Sequence, residues 1–170
     1  QPIDPADMNV LVAFDRSGLA VATTAVRRLD MTGTTAADEL VSMRLIFGEK
    51  AEAMREIAEF ELTAPSATRI SGKISYHGGV WVHPRFRKHG LTRLMPKLNR
   101  YMALAQKYVD FEIAMASAAL LKPHVAASYS VEASEPYYAY KERGQKIYDG
   151  VFNWSSRYWI IATLRNDVVA

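Results

Sequence analysis

The chain changes its hydrophobic period at His83-Pro84, and this break constrains the fold more than any other feature. Before it, Lys73 to Val82 is rich in β-branched and aromatic residues, the composition of a strand. After it, Leu91, Leu94, Met95, Leu98, Met102, Leu104 and Ala105 recur at spacings of three and four, which predicts a helix ending near Lys107. Proline has no N–H to give to a sheet ladder, so Pro84 ends the strand. Pro96 is tolerated because it lies near the first turn of the helix. The paired Gly78-Gly79 inside the strand marks a bulge or a close backbone approach.

The other elements are placed around this unit. Asn9–Phe14 and Leu19–Leu29, rich in Val, Ala and Thr, flank the polar Asp15-Arg16-Ser17-Gly18 and read as a β-hairpin. Between Thr35 and Leu62 apolar residues recur at three and four, which predicts one or two helices broken near Gly48, within a helical insert over 35–69. Asp110–Ala116 reads as a buried strand, Ala118–Gly144 as irregular chain and helix, and Lys146–Trp154 with Arg157–Leu164 as a closing strand pair. The fold class is therefore α/β (α+β): one domain over 1–170 with a largely antiparallel sheet flanked by helices.

Composition excludes several chemistries. There is no cysteine, hence no disulfide, thiolate nucleophile or thiolate metal site, and no metal-ligand spacing occurs. No apolar run reaches eighteen residues, so no membrane span is expected, and a cytoplasmic location is compatible. The net charge is only +3, yet Arg85, Arg87, Lys88, Arg93, Lys97, Arg100 and Lys107 follow one another without an acidic residue between them. Such a stretch attracts an anion.

A helix begun after a glycine turns its unpaired N–H groups and positive dipole end toward the preceding loop, which suits a phosphate; glycine permits close approach, and flanking arginines add charged hydrogen bonds. Here the chain resembles the GNAT acyltransferase superfamily, whose signature is a strand ending in V-x-P, an aromatic, then Arg/Gln-x-x-Gly-x-Gly/Ala opening a helix. Val82-x-Pro84 ends the strand, Phe86 is the aromatic, Arg87-Lys88-His89-Gly90-Leu91-Thr92 is the loop, and Leu94 begins the apolar helix face. Thr92 departs from the preferred glycine or alanine. Only about eight residues precede the hairpin, where the family has a strand and two helices. The chain also opens on Gln1, so either an upstream part is missing from it or the acceptor side is built differently.

The resemblance implies acetyl-CoA or another acyl-CoA as co-substrate, and direct attack of an amine on the thioester. The phosphates would lie on Arg87, Lys88, His89, Gly90, Leu91 and Thr92, and the oxyanion on a backbone N–H within Val80, Trp81 and Val82. The amine must lose a proton from a group of pKa near ~10.4, and the leaving thiolate benefits from an acid. Tyr140-Lys141-Glu142-Arg143-Gly144 resembles the family's late Tyr-x-x-x-Gly, making Tyr140 the expected acid on a helix, with Tyr137 and Tyr138 adjacent. His77 is the candidate base, placed by strand alternation on the face opposite Val80 and Val82. Glu59 and Glu61 are rivals, and Arg27 and Arg28 read as an exposed strand end. The acceptor is a small-molecule or protein amine, and a homodimer is compatible with the sequence. Two alternatives stay open, a long-chain acyltransferase served by acyl carrier protein and a non-catalytic module binding CoA or another anion. Nucleic-acid binding ranks last, since no aromatics are interleaved with the basic charge.

Overall fold

A computed structural model of the chain describes residues 4–106, 108–117 and 129–169, and these form one seven-stranded sheet in the order β1-β2-β4-β5-β7-β6-β3. The hairpin forms as expected, β1 (Met8–Phe14) antiparallel to β2 (Ala20–Met31), with Gly18 at φ +84° in its turn. The insert breaks into three short helices, α1 (Ala36–Val41), α2 (Arg44–Phe47) and α3 (Ala51–Arg55), with Gly48 between the last two. Thr35 and Asp38 cap α1 reciprocally. The end of the insert is not helical: β3 (Ala58–Leu62) pairs with β6 at the sheet edge.

β4 (Gly72–Val82) runs antiparallel to β2 and parallel to β5 (Phe111–Ser117). The crossover between them is α4 (Leu91–Gln106), which covers one sheet face. The opposite face carries the main core, where Leu40, Met43 and Phe60 from the insert meet Ile74, Ile113 and Phe152 from the strands. Burial of these side chains contributes about 1.5–3 kcal/mol each. No described helix is long and apolar enough to cross a membrane.

Two local expectations are corrected. Arg157–Leu164 is not a strand but belongs to helix α5 (Arg157–Val169), after β7 (Gln145–Ser156). The reason lies at its start: the Ser156 hydroxyl accepts the Trp159 N–H at 3.3 Å, an N-cap, and Ile160 then turns into the core. The adjoining Trp159-Ile160-Ile161 carries no alternation that separates strand from helix. Ala118–Gly144 is also not wholly irregular, since Ala133–Glu142 forms β6 beside β7. Positions 118–128, Lys107 and the side chain of Tyr137 lie outside the described residues.

Candidate functional site

Parallel pairing of β4 with β5 runs from Ile74↔Phe111 to His77↔Ala114 and stops there. β4 continues on β2 to Val82, and β5 continues on β7 to Ser117. The two strands therefore diverge, and the gap between them holds a cavity of about 180 Å³. Gly78, Gly79 and Val80 form one side, Ala114, Met115 and Ala116 the other, with Pro96 and Arg100 of α4 above. The expected bulge lies at this point: β2 and β4 shift register between Thr23/Ala25, opposite Gly79-Val80, and Gly79 takes φ +66°.

That bulge changes the placement of His77. The extra residue inverts the alternation, so His77 and Val82 lie on the same face and not on opposite ones. Val82 packs on Met95 of α4, and His77 lines the cavity with Pro96 and Arg100 of the same helix. The imidazole is only 7% exposed. Its Nε2 lies 3.2 Å from Glu112 Oε2 without hydrogen-bond alignment, and among the described residues it has no hydrogen-bond partner. Burial pushes the His77 pKa down; the Glu112 charge opposes this and the Arg100 charge adds to it, so the ring is neutral at pH 7.

Glu112 and Arg100, neither of which the sequence singled out for a shared role, complete a buried cluster. Arg100 Nε donates to both Glu112 oxygens at 2.8 and 2.9 Å, and its other nitrogens donate to the carbonyls of Tyr129 (3.2 Å) and Ser130 (3.0 Å). Burial opposes ionisation of Glu112, but the His77 charge whenever that ring is protonated, the Arg100 charge and the Arg100 hydrogen bonds outweigh it and hold the carboxyl below its usual range. Tyr129 also lines the gap, and burial raises its phenol.

The loop after β4 is built from its anchors. Val82, Phe86, Leu91 and Met95 sink into a second apolar cluster with Ala22, while Arg87, Lys88, His89 and Gly90 remain exposed above it. Lys88 and Gly90 take φ +67° and +77°, and a Cβ on Gly90 would meet open space. Gly90 accepts the N–H groups of Arg93 and Leu94, both at 3.0 Å, and thereby starts the helix. The basic stretch is less continuous than its sequence. Lys97 is bound to Asp167 of α5 and Arg100 is buried, so Arg85, Arg87, Lys88 and Arg93 are the exposed cations at the helix start.

The remaining candidates are not gathered here. Tyr140 lies on β6 and not on a helix; it pairs with Tyr148 of β7, beyond the Ser117↔Gly150 pair that ends β5, and its hydroxyl bonds to Glu142. Tyr138 is buried and stacked on Phe60. Glu59 and Glu61 stand on the far edge strand β3, where Glu61 binds Lys141. Arg28 turns toward Asp7, the Ala6 carbonyl and Gln106. Trp81 is exposed and does not line the gap cavity. Among the described residues no group of three metal-binding side chains occurs.

No family model and no curated protein sequence matches the chain. Solved structures do. A variant of the spermidine N-acetyltransferase SpeG from Vibrio cholerae superposes with TM-score 0.53 at 8% identity, over 95% of this chain and 72% of its own. The arylalkylamine N-acetyltransferase 2 of Aedes aegypti gives 0.53 at 16% identity, over 86% and 72%. The aminoglycoside acetyltransferase AAC(6')-Ib, in complex with coenzyme A and kanamycin, gives 0.52 at 9%, over 92% and 71%. With a mixed, largely antiparallel sheet, a parallel pair that diverges, and a basic glycine loop opening the crossover helix, this chain carries the GNAT acetyltransferase fold.

Proposed function

We propose that the protein is an acyl-CoA-dependent N-acyltransferase that passes an acetyl or other acyl group directly to an amine. The observation that carries this reading is the divergence of β4 from β5 after His77↔Ala114, with the exposed Arg87–Gly90 loop and the start of α4 at the same end of β4. Likeness to acetyltransferases at the level of fold supports it.

The loop supplies charge and backbone donors for the CoA pyrophosphate, through Arg87, Lys88, His89, Gly90, Leu91 and Thr92. The His83 N–H donates to Val21 O at 2.9 Å; alternation then turns the N–H of Val82 toward the gap, which the bulge residues Gly79 and Val80 also line. There the Val82 N–H serves as a donor for a thioester oxyanion. The amine nitrogen attacks the carbonyl carbon, the C–N bond forms, the C–S bond breaks, and the thiolate departs. Neutral His77, whose Nε2 side faces Glu112, lines the gap and takes the amine proton directly or through water. Tyr129, kept protonated by burial, supplies the proton to the thiolate in preference to Tyr140, which lies off the gap.

The test is a thermal-shift series with free CoA, acetyl-CoA and longer acyl-CoAs, followed by an amine panel with thiol detection. CoA stabilises the parent, and Gly90→Asp, which sets a carboxylate against the pyrophosphate, abolishes that stabilisation. Unchanged CoA affinity in a folded Gly90→Asp protein overturns the phosphate site.

A further inference from the structure

A second cavity, of about 310 Å³, lies on the sheet face opposite α4. Phe47 and Phe60 of the insert form one wall, and Tyr138, Tyr140 and Tyr148 of the β6–β7 hairpin form the other. Its inner end is closed by Tyr76, the neighbour of His77, and by Met115. Met115 also lines the gap cavity, so the two spaces share this residue. Its outer end reaches Ile46 and Tyr148, which are 40% and 43% exposed, so the cavity opens to solvent there.

The chemistry of the walls is uniform. Among the described residues, no charged side chain lines the cavity. The Tyr140 hydroxyl is held by Glu142, and the rings of Tyr138 and Tyr148 lie 5.7 Å apart while those of Phe47 and Tyr140 lie 5.9 Å apart. Such a space takes an apolar or aromatic body, and its ring faces also attract an ammonium. It offers no cation to a carboxylate and no carboxylate wall to a second ammonium. An acyl chain placed here would end in the open mouth at Ile46 and Tyr148, whereas a molecule entering through that mouth brings its leading atom to Met115, the residue shared with the gap.

We infer that this aromatic cavity is the acceptor subsite and that the acceptor is a primary amine on an aromatic or alkyl body, not an amino acid or a polyamine. The inference rests on the acyl-transfer reading of the gap given above. It is tested by calorimetric titration of the whole protein, with and without saturating CoA, against 2-phenylethylamine, hexylamine, ethanolamine, glycine and spermidine. The two apolar amines bind at least about tenfold more tightly than the others, a difference of about 1.4 kcal/mol. Tyr148→Ala and Ile46→Lys, at half-exposed positions where folding tolerates change, each remove most of that advantage and leave CoA affinity untouched. Equal affinity for phenylethylamine and ethanolamine in the parent overturns the inference, and so does an advantage that survives both variants. Loss of the advantage in both variants, without thiol release on any amine, upholds the cavity and overturns the acyl-transfer reading instead.

Discussion

Replacing Glu112 by Gln keeps the shape of the side chain and removes the charge that faces Arg100. Both partners are nearly sealed from water, at 3% and 4% side-chain exposure, and Arg100 Nε spans both carboxylate oxygens at 2.8 and 2.9 Å. Removing one member of such a pair leaves a buried guanidinium uncompensated, at a cost of about 3–5 kcal/mol. Against a total stability of about 5–15 kcal/mol this is a large fraction. At ~2–4 °C per kcal/mol for a chain of this size, the melting temperature falls by roughly 6–20 °C.

The double variant Arg100→Met with Glu112→Leu removes both charges. It still frees the Tyr129 and Ser130 carbonyls, each worth about 1–3 kcal/mol if left unsatisfied, so recovery is incomplete. Urea unfolding of parent, single and double variants is the assay. A single variant within about 1 kcal/mol of the parent refutes a buried charge pair at this position.

Three further outcomes are expected. Because burial lowers the folded-state pKa of His77 below the unfolded value of 6.5, the unfolded chain binds more protons in that window; stability is full above about pH 6.5 and declines as pH falls, and urea midpoints of His77→Gln show a flatter slope between about pH 7.5 and 5.5. Arg87→Ala weakens CoA binding up to about tenfold, less at high salt, without changing which amines are accepted; a changed amine preference with intact CoA binding in a titration shows the site to be reversed. Tyr129→Phe lowers steady-state turnover by ~10²-fold while Tyr140→Phe stays within a few-fold, and the opposite order returns the acid role to Tyr140.

What was legible in the sequence was local. The strand, stop, loop and helix from Lys73 to Gln106 form as read because each step is set within a few residues: proline ends the strand, Phe86 and Leu91 anchor the loop, and Gly90 starts the helix. Tyr140 was misplaced for an equally local reason. The motif Tyr-x-x-x-Gly suggests a helix, but Arg143 and Gly144 both have positive φ, at 48° and 76°, and Glu142 faces Gln145 across them. Two consecutive residues of that conformation make a tight hairpin turn whose twist suits flanking strands, so the same glycine closes β6–β7. His77 was assigned the wrong face because alternation counts residues, and the bulge at Gly79-Val80 adds one. The pairing of Arg100 with Glu112 left no local trace: one is on a helix, the other on a strand, and the arginine resembled its exposed neighbours in a basic run.

The buried cluster and the gap above it also bear on each other. Beyond Ala114 the facing edges of β4 and β5 give up the ladder hydrogen bonds that continued pairing would supply, each worth about 1 kcal/mol net. The sheet tolerates this because each strand is secured elsewhere, β4 on β2 across the bulge and β5 on β7 through to Ser117. Arg100 ties α4 to β5 through Glu112 at the floor of the gap, and the anchored loop ties the start of α4 to β4. Closing the gap would require one of these attachments to move. The facing edges of β4 and β5 are thus held apart by the packing around them.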